Sequence, residues 1–172
     1  MKRIYILRHA KAGQTNKKIL DDHERPLTHK GVLQCEEVGE YLGATKAKID
    51  LVVSSTSERT KQTTELVLES FGKKIQTKLS SKIYLGSHVD ILNEVAALDN
   101  KKNNVLLVGH NPGLHQFAIS LISSGEKSFI KALNYNFPPS SLAVIEFDKD
   151  SWDEIKWRTG KIVDFVSSKD KS

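Results

Sequence analysis

The chain has 172 residues, 38% of them hydrophobic, which is enough for one folded domain with a substantial core. Twenty-six Lys and Arg against 21 Asp and Glu leave a net charge of +5, but the lysines are scattered or paired, as in Lys73-Lys74 and Lys101-Lys102. Charge alone permits a nucleic-acid partner, yet no basic stripe is interleaved with aromatics, so the expectation is a solvated surface with some attraction for anionic substrates and no nucleic acid. The single cysteine, Cys35, excludes an internal disulfide framework and lies in no metal-ligand spacing, so no metal and no cofactor are expected. Four apolar residues between Arg3 and Arg8 are too few for a signal segment, and no apolar run is long enough to span a bilayer. The expected location is the cytoplasm, with no membrane partner.

In chain order, strands alternate with helices, the pattern of a mostly parallel sheet covered on both faces. Arg3 to Arg8 reads as the first strand, and the polar stretch from Lys11 to Arg25 as a long loop. Thr28 is a candidate N-cap for a helix whose Val32, Cys35, Val38, Tyr41 and Leu42 share one face until Gly43. Asp50 to Ser54 is a short buried strand. Ser57 caps a helix that carries Leu66, Val67 and Phe71 to a stop at Gly72. A weaker strand covers Ile75 to Leu79, and a helix Ser87 to Leu98. Asn104 to Gly109 is another buried strand, followed by Asn111-Pro112-Gly113 and an apolar helix through Phe117, Ala118, Leu121 and Ile122. Leu142 to Phe147 and Lys156 to Phe165 read as a closing hairpin about Asp148 to Asp153. One domain over residues 1–172 is expected, with 167–172 a frayed tail.

Three of these strands end in polar groups. The first ends at Arg8-His9, the second at Ser54-Ser55 with Arg59 one turn into the next helix, and the later one at Gly109-His110-Asn111. If the strands are parallel, two arginines and two histidines converge on one sheet edge, where helix N-termini also point. Arginines bind phosphate oxygens in bidentate fashion, helix N-termini add backbone donors, and an imidazole can attack phosphorus. Taken singly, each residue has a plainer reading: Arg59 as a polar helix start paired with a nearby acid, His110 as a core histidine, Asn111-Pro112-Gly113 as a turn. The conjunction of three such ends in one short chain favours a phosphoryl site.

The same residues carry a family resemblance. Leu7-Arg8-His9-Ala10, Arg25-Pro26-Leu27-Thr28 with Gly31, Ser54-Ser55 through Arg59 to Gln62-Thr63, and Val108-Gly109-His110-Asn111-Pro112-Gly113 resemble the histidine phosphatase superfamily in its phosphoglycerate-mutase-like branch. The short length and the Arg8-His9-Ala10-Lys11-Ala12 form are similar to the SixA-type phosphohistidine phosphatases. The resemblance implies a three-layer α/β/α sandwich with a mostly parallel central sheet. It also implies that His9 is a nucleophile forming a phosphohistidine intermediate, with Arg8, Arg59, His110 and Asn111 holding the phosphoryl group. Asn16 and Arg25 are further pocket contacts on this basis. Positioned cations can supply most of the help a phosphoryl transfer needs, which is consistent with a reaction independent of metal.

One departure bears on the substrate. Much of the branch carries a glutamate after the third strand as general acid, where this chain has Ile83-Tyr84-Leu85-Gly86-Ser87, with Leu85 at the position of the acid. An alkoxide needs a proton to leave, whereas a phosphorylated imidazole can take one on its other ring nitrogen. The expected activity is therefore dephosphorylation of phosphohistidine on a protein such as a phosphotransfer domain. Asp22, Glu24 and Glu94 are the carboxylates that could replace the acid. A small-molecule or broad phosphomonoesterase is the alternative, and a non-catalytic phosphate-binding module is disfavoured because binding alone needs no His9. A mutase is the least favoured, since it needs an acid/base and a closed pocket.

Overall fold

The computed structural model describes residues 1–13 and 21–168. Seven strands form one sheet: β1 (Lys2–Arg8), β2 (Leu51–Ser55), β3 (Thr77–Ser80), β4 (Asn104–Gly109), β5 (Ile122–Gly125), β6 (Leu142–Phe147) and β7 (Gly160–Val166). Five helices accompany them: α1 (His29–Ala44), α2 (Glu58–Phe71), α3 (His88–Ala96), α4 (Gly113–Leu121) and α5 (Lys127–Tyr135). The strand order is β3-β2-β4-β1-β6-β7-β5, and every pairing is parallel except those that β6 makes with β1 and β7. Only β6 runs against the rest, which is the mostly parallel sheet that the alternating strands and helices predict.

The period-2 alternation of β1 divides the interior in two. Ile4 and Ile6 enter a core with α3, α4 and α5, which also takes in Phe117, Phe137 and Trp152. Tyr5 and Leu7 enter the opposite core with α1 and α2, through Cys35, Val38, Leu42 and Val67. Helices on both faces of one sheet make the three-layer sandwich. At the far end of β1 from the site, buried Lys2 donates to the carbonyls of Asn100 and Lys102 and to Asn103 Oδ1, and lies over the Trp152 ring. A buried ammonium with its protons accepted is tolerated in the core.

The cap residues read from sequence act as caps. Thr28 accepts from Gly31 N, Ser57 from Thr60 N and Ser87 from Asp90 N, and Gly72 closes α2 at φ +76°. Gly43 does not end α1; Thr45 does, its hydroxyl donating to the Tyr41 carbonyl at 2.9 Å. Helix α2 buries hydroxyls as well as Val67 and Phe71, because Thr63 and Thr64 satisfy themselves on the carbonyls of Arg59 and Thr60.

Four further expectations differ. Strand β3 begins at Thr77 rather than Ile75, because it pairs in register with Val52 to Ser55 of β2. Strand β7 begins at Gly160, because Lys156 and Thr159 close a turn on each other. The β6–β7 connection is longer than a hairpin turn and includes a 3-10 turn at Trp152–Glu154. Strand β5 and helix α5 have no counterpart in the sequence reading, since the apolar run of α4 continues into Ile122 without a helix-breaking residue.

Candidate active site

Parallel pairing sets the site. Arg8 at the end of β1 lies opposite Gly109 at the end of β4, and Ser54 of β2 lies opposite Val108. The three strand ends therefore open on one edge, and His9, Arg59 and His110 meet there. The His9 and His110 rings are 5.3 Å apart between centroids. All three side chains belong to buried residues.

The backbone around His9 is fixed on several sides. His9 N donates to the Gly109 carbonyl at 3.1 Å, and Ser140 N donates to the carbonyls of Arg8 and His9. Ala10 N donates to Thr63 Oγ1 at 3.1 Å and Lys11 N to Gln34 Oε1 at 2.8 Å, while Gln62 Oε1 accepts Leu27 N. Gln62-Thr63 thus anchors the loops around the site to α2. A Cβ on Gly31 would collide with the Lys11 carbonyl oxygen, so glycine is what lets α1 approach the segment after His9.

His9 Nδ1 is 2.7 Å from the Ala10 carbonyl, which can only accept, so Nδ1 carries the proton and Nε2 the lone pair. Burial pushes the pKa of His9 down; the bond to Ala10 opposes this, and the charges of Arg8, Arg59 and Arg25 add to it, with the result at about 3. At neutral pH the ring is a neutral base. His110 is likewise pushed down to about 3, by burial first and then by His9 and Arg59, with Asp22 pulling the other way. Its Nε2 lies 2.8 Å from Ser55 Oγ, and Ser55 Oγ accepts Ser57 N at 3.3 Å. A serine that accepts from a backbone amide has its hydroxyl proton to donate to Nε2. His110 then carries its own proton on Nδ1.

Among the described residues, five buried side-chain polar atoms have no hydrogen-bond partner, and three of them are Arg8 Nε, Arg59 Nε and His110 Nδ1. Buried donors are ordinarily satisfied. Unsatisfied nitrogens on three of the residues singled out from sequence make a donor set suited to an anion with several oxygens.

Arg8 Nη1 donates to the Phe137 carbonyl at 3.2 Å, and burial followed by the charge of Arg59 lowers its pKa. Asn111 Nδ2 donates to the same carbonyl at 2.8 Å. One amide proton of Asn111 thus braces the segment before β6, and its Oδ1 is buried without a partner. Arg25 is also a brace: it donates to the Gly13 carbonyl and to Asp22 Oδ1, both at 3.0 Å. Asn16 lies outside the described residues.

Asp22, from the loop before α1, stands at the centre of the site's polar contacts. Arg59 donates through Nη1 to its carbonyl at 2.7 Å and through Nη2 to Oδ2 at 3.0 Å, and the Tyr84 hydroxyl donates to Oδ2 at 2.6 Å. Burial would raise its pKa, but the bonds from Tyr84, Arg59 and Arg25 outweigh it and hold the carboxyl well below the usual range. The plain reading of Arg59 as the partner of a nearby acid is therefore also true. Glu94 is taken by the Ser80 hydroxyl and Glu24 is exposed, so Asp22 is the one of the three candidate carboxylates that meets Arg59. Leu85 is 58% exposed, and its neighbour Tyr84 turns in, 5.4 Å from the His110 ring. Tyr84 and Ser55 were not singled out as site residues; Ser54-Ser55 at a strand end and Tyr84 beside Leu85 were the only signals. Among the described residues no group of three or more His, Cys, Asp and Glu could hold a metal ion, and no helix is long and apolar enough to cross a membrane.

Comparison with known proteins agrees with this geometry. Residues 4–80 match the histidine phosphatase superfamily (branch 1). A solved structure described as a candidate phosphohistidine phosphatase SixA from Nakamurella multipartitia superposes with a TM-score of 0.85 at 26% identity, covering 98% of this chain and 97% of its own. A second, described likewise from Agrobacterium tumefaciens, gives 0.80 at 28% identity, covering 97% and 98%. An uncharacterized protein of Mycobacterium tuberculosis is 28% identical over 141 residues, 81% of this chain and 85% of its own length. Over residues 4–80 the chain resembles the histidine phosphatase superfamily, branch 1, and over nearly its whole length it shares the phosphoglycerate-mutase-like fold of the two SixA structures.

Proposed function

We propose that this chain is a phosphatase that removes phosphate from phosphohistidine on a protein, through a covalent intermediate on His9. The observation that carries the reading is the set of unsatisfied buried nitrogens on Arg8, Arg59 and His110 beside a neutral His9. Arg8, Arg59 and Nδ1–H of His110 receive the phosphoryl oxygens, and the His9 Nε2 lone pair attacks phosphorus. The substrate ring takes a proton from water on its free nitrogen, the P–N bond breaks with its electron pair returning to the nitrogen that carried phosphorus, and the ring leaves as neutral imidazole. Water then attacks the His9 phosphoryl group, releasing inorganic phosphate and regenerating the neutral ring. The charge that develops on the equatorial oxygens meets fixed cations, which need no reorganisation. The names of the Nakamurella and Agrobacterium neighbours support the choice of a phosphohistidine.

Asp22 favours one second reading, a phosphomonoesterase in which this carboxyl protonates an alkoxide leaving group. Its low pKa argues against that role: in the free site it is an anion and has no proton to give. Three substrates separate the readings: a phosphohistidine-bearing protein, an aryl phosphate and an alkyl phosphate. The proposal expects the first to be turned over fastest and the alkyl ester slowest. Fast cleavage of the alkyl ester would refute it in favour of the esterase. His9→Ala should abolish turnover of all three while leaving phosphate binding measurable, and unchanged hydrolysis in that variant would sink the mechanism.

A further inference from the structure

Helix α5 presents Lys127, Lys131 and Tyr135 at intervals of four residues, on one exposed face. Tyr135 is 88% exposed, and between residues 127 and 139 there is no Asp or Glu. The helix runs straight into the wall of the active site. Two residues beyond Tyr135, the Phe137 carbonyl holds both Arg8 and Asn111, and Ser140 N holds the carbonyls of Arg8 and His9. Between α5 and Lys11 lies a groove of about 370 Å³, lined by Lys11, Tyr135, Asn136, Pro138, Pro139 and Phe165 among others. Lys11 is two residues from the nucleophile.

We propose that this stripe and groove form the docking surface for a folded, acidic protein that carries the phosphohistidine. The inference rests on the phosphohistidine reading above. Its length excludes a small substrate as the occupant: from Lys127 to Tyr135 the helix extends about 12 Å at ~1.5 Å per residue, away from the cleft, beyond the reach of a simple phosphate ester. Its chemistry selects the partner. Lys127 and Lys131 outnumber the one acid beside them, Glu126, and Lys131 lies closer to the cleft than that acid, so the stripe attracts a negatively charged surface and steers its approach, while Tyr135, with Pro138 and Pro139 beside it, offers a rigid apolar anchor of the kind that dominates protein interfaces. A phosphohistidine exposed on an acidic helix meets both features when its phosphoryl group enters the cleft.

The test measures kcat/KM on three probes: an acidic helical domain with one exposed histidine, a short peptide containing a single histidine, and para-nitrophenyl phosphate. The first two are phosphorylated chemically with phosphoramidate. The variants are Tyr135→Ala and the double reversal Lys127→Glu, Lys131→Glu, all at exposed positions outside the site. Expected is a fall of about tenfold or more on the domain for each variant, with the peptide and the aryl ester unchanged, and loss of the salt dependence on the domain in the double reversal. Equal rates of variants and wild type on the domain would overturn the docking surface. So would an equal fall on all three probes, or the same substitutions abolishing binding to anionic vesicles or a self-association without affecting the domain. A wild type inactive on both phosphohistidine probes would instead overturn the proposed function.

Discussion

The Tyr84 hydroxyl and Arg59 Nη2 donate to the same oxygen of Asp22, at 2.6 and 3.0 Å. Arg59 is one of the two guanidiniums expected to receive the phosphoryl group, so an anion entering the site meets a carboxylate that already engages its receptor. Asp22 therefore opposes the binding of anions even as it aligns Arg59. Asp22→Asn should strengthen inhibition by inorganic phosphate about fivefold, on the order of 1 kcal/mol for removing one like charge near a solvent-exposed pair. Product-inhibition kinetics check this, and an unchanged or weaker inhibition constant would contradict it.

The pH dependence of stability follows from His9 and His110. Both are held neutral, with pKa values pushed down to about 3, whereas in the unfolded chain a histidine takes a proton near the ordinary 6.5. Between those limits the unfolded state binds more protons. Stability is therefore fully present above pH 6.5 and declines as the pH falls toward 3, by up to about 1.4 kcal/mol per pH unit for each ring. Urea midpoints measured from pH 7 to pH 4 should fall, and a His9→Gln, His110→Gln variant should lose that part of the slope. The attack step should show no acid limb near pH 6.5 from His9 itself.

Ser55 holds the proton of His110 on the nitrogen that has no other partner. Ser55→Ala removes the donor to Nε2 and lets the ring change tautomer, so Nδ1 would face the phosphoryl group with a lone pair. A fall of about tenfold or more in kcat with a small change in KM is expected, by analogy with the loss of a single oriented donor. A variant with wild-type kcat would show that His110 needs no such anchor.

Gly31→Ala tests the close approach of α1 to the segment after His9. The new methyl meets the Lys11 carbonyl oxygen, a backbone atom that cannot rotate away, and a cost of about 1–3 kcal/mol is expected from overpacking. Because Lys11 and Ala10 follow the nucleophile, kcat should fall as well. Thermal unfolding and turnover measured together would expose an error if the variant were as stable and active as wild type.

The sequence by itself carried the strand ends. Alternation of buried strands with capped helices was enough for a mostly parallel sheet, and parallel strands put their carboxyl ends on one edge, so Arg8, His9, Arg59 and His110 could be grouped without coordinates. The caps Thr28, Ser57 and Ser87 were legible because the signal is local: a side-chain oxygen accepting from an amide three residues on. Helix α5 and strand β5 were not, although Phe129, Ile130 and Leu133 recur at helical spacing after Gly125, because the apolar run of α4 continues into Ile122 and masks where that helix ends, and β5 is defined only by its pairing beside β7. Three facts about the site belong to the tertiary structure alone. Asp22 meets Arg59 and Tyr84 across separations of 37 and 62 residues. Asn111 and Arg8 converge on one carbonyl of Phe137. The tautomer of each histidine is set by a neighbour that burial brings within reach, Ala10 for His9 and Ser55 for His110. Residue types fixed the available chemistry, and their order fixed the edge on which it gathers. Which proton sits on which nitrogen, and which carboxylate faces the arginines, depends on distances of about 3 Å between segments far apart in the chain, and only packing sets those.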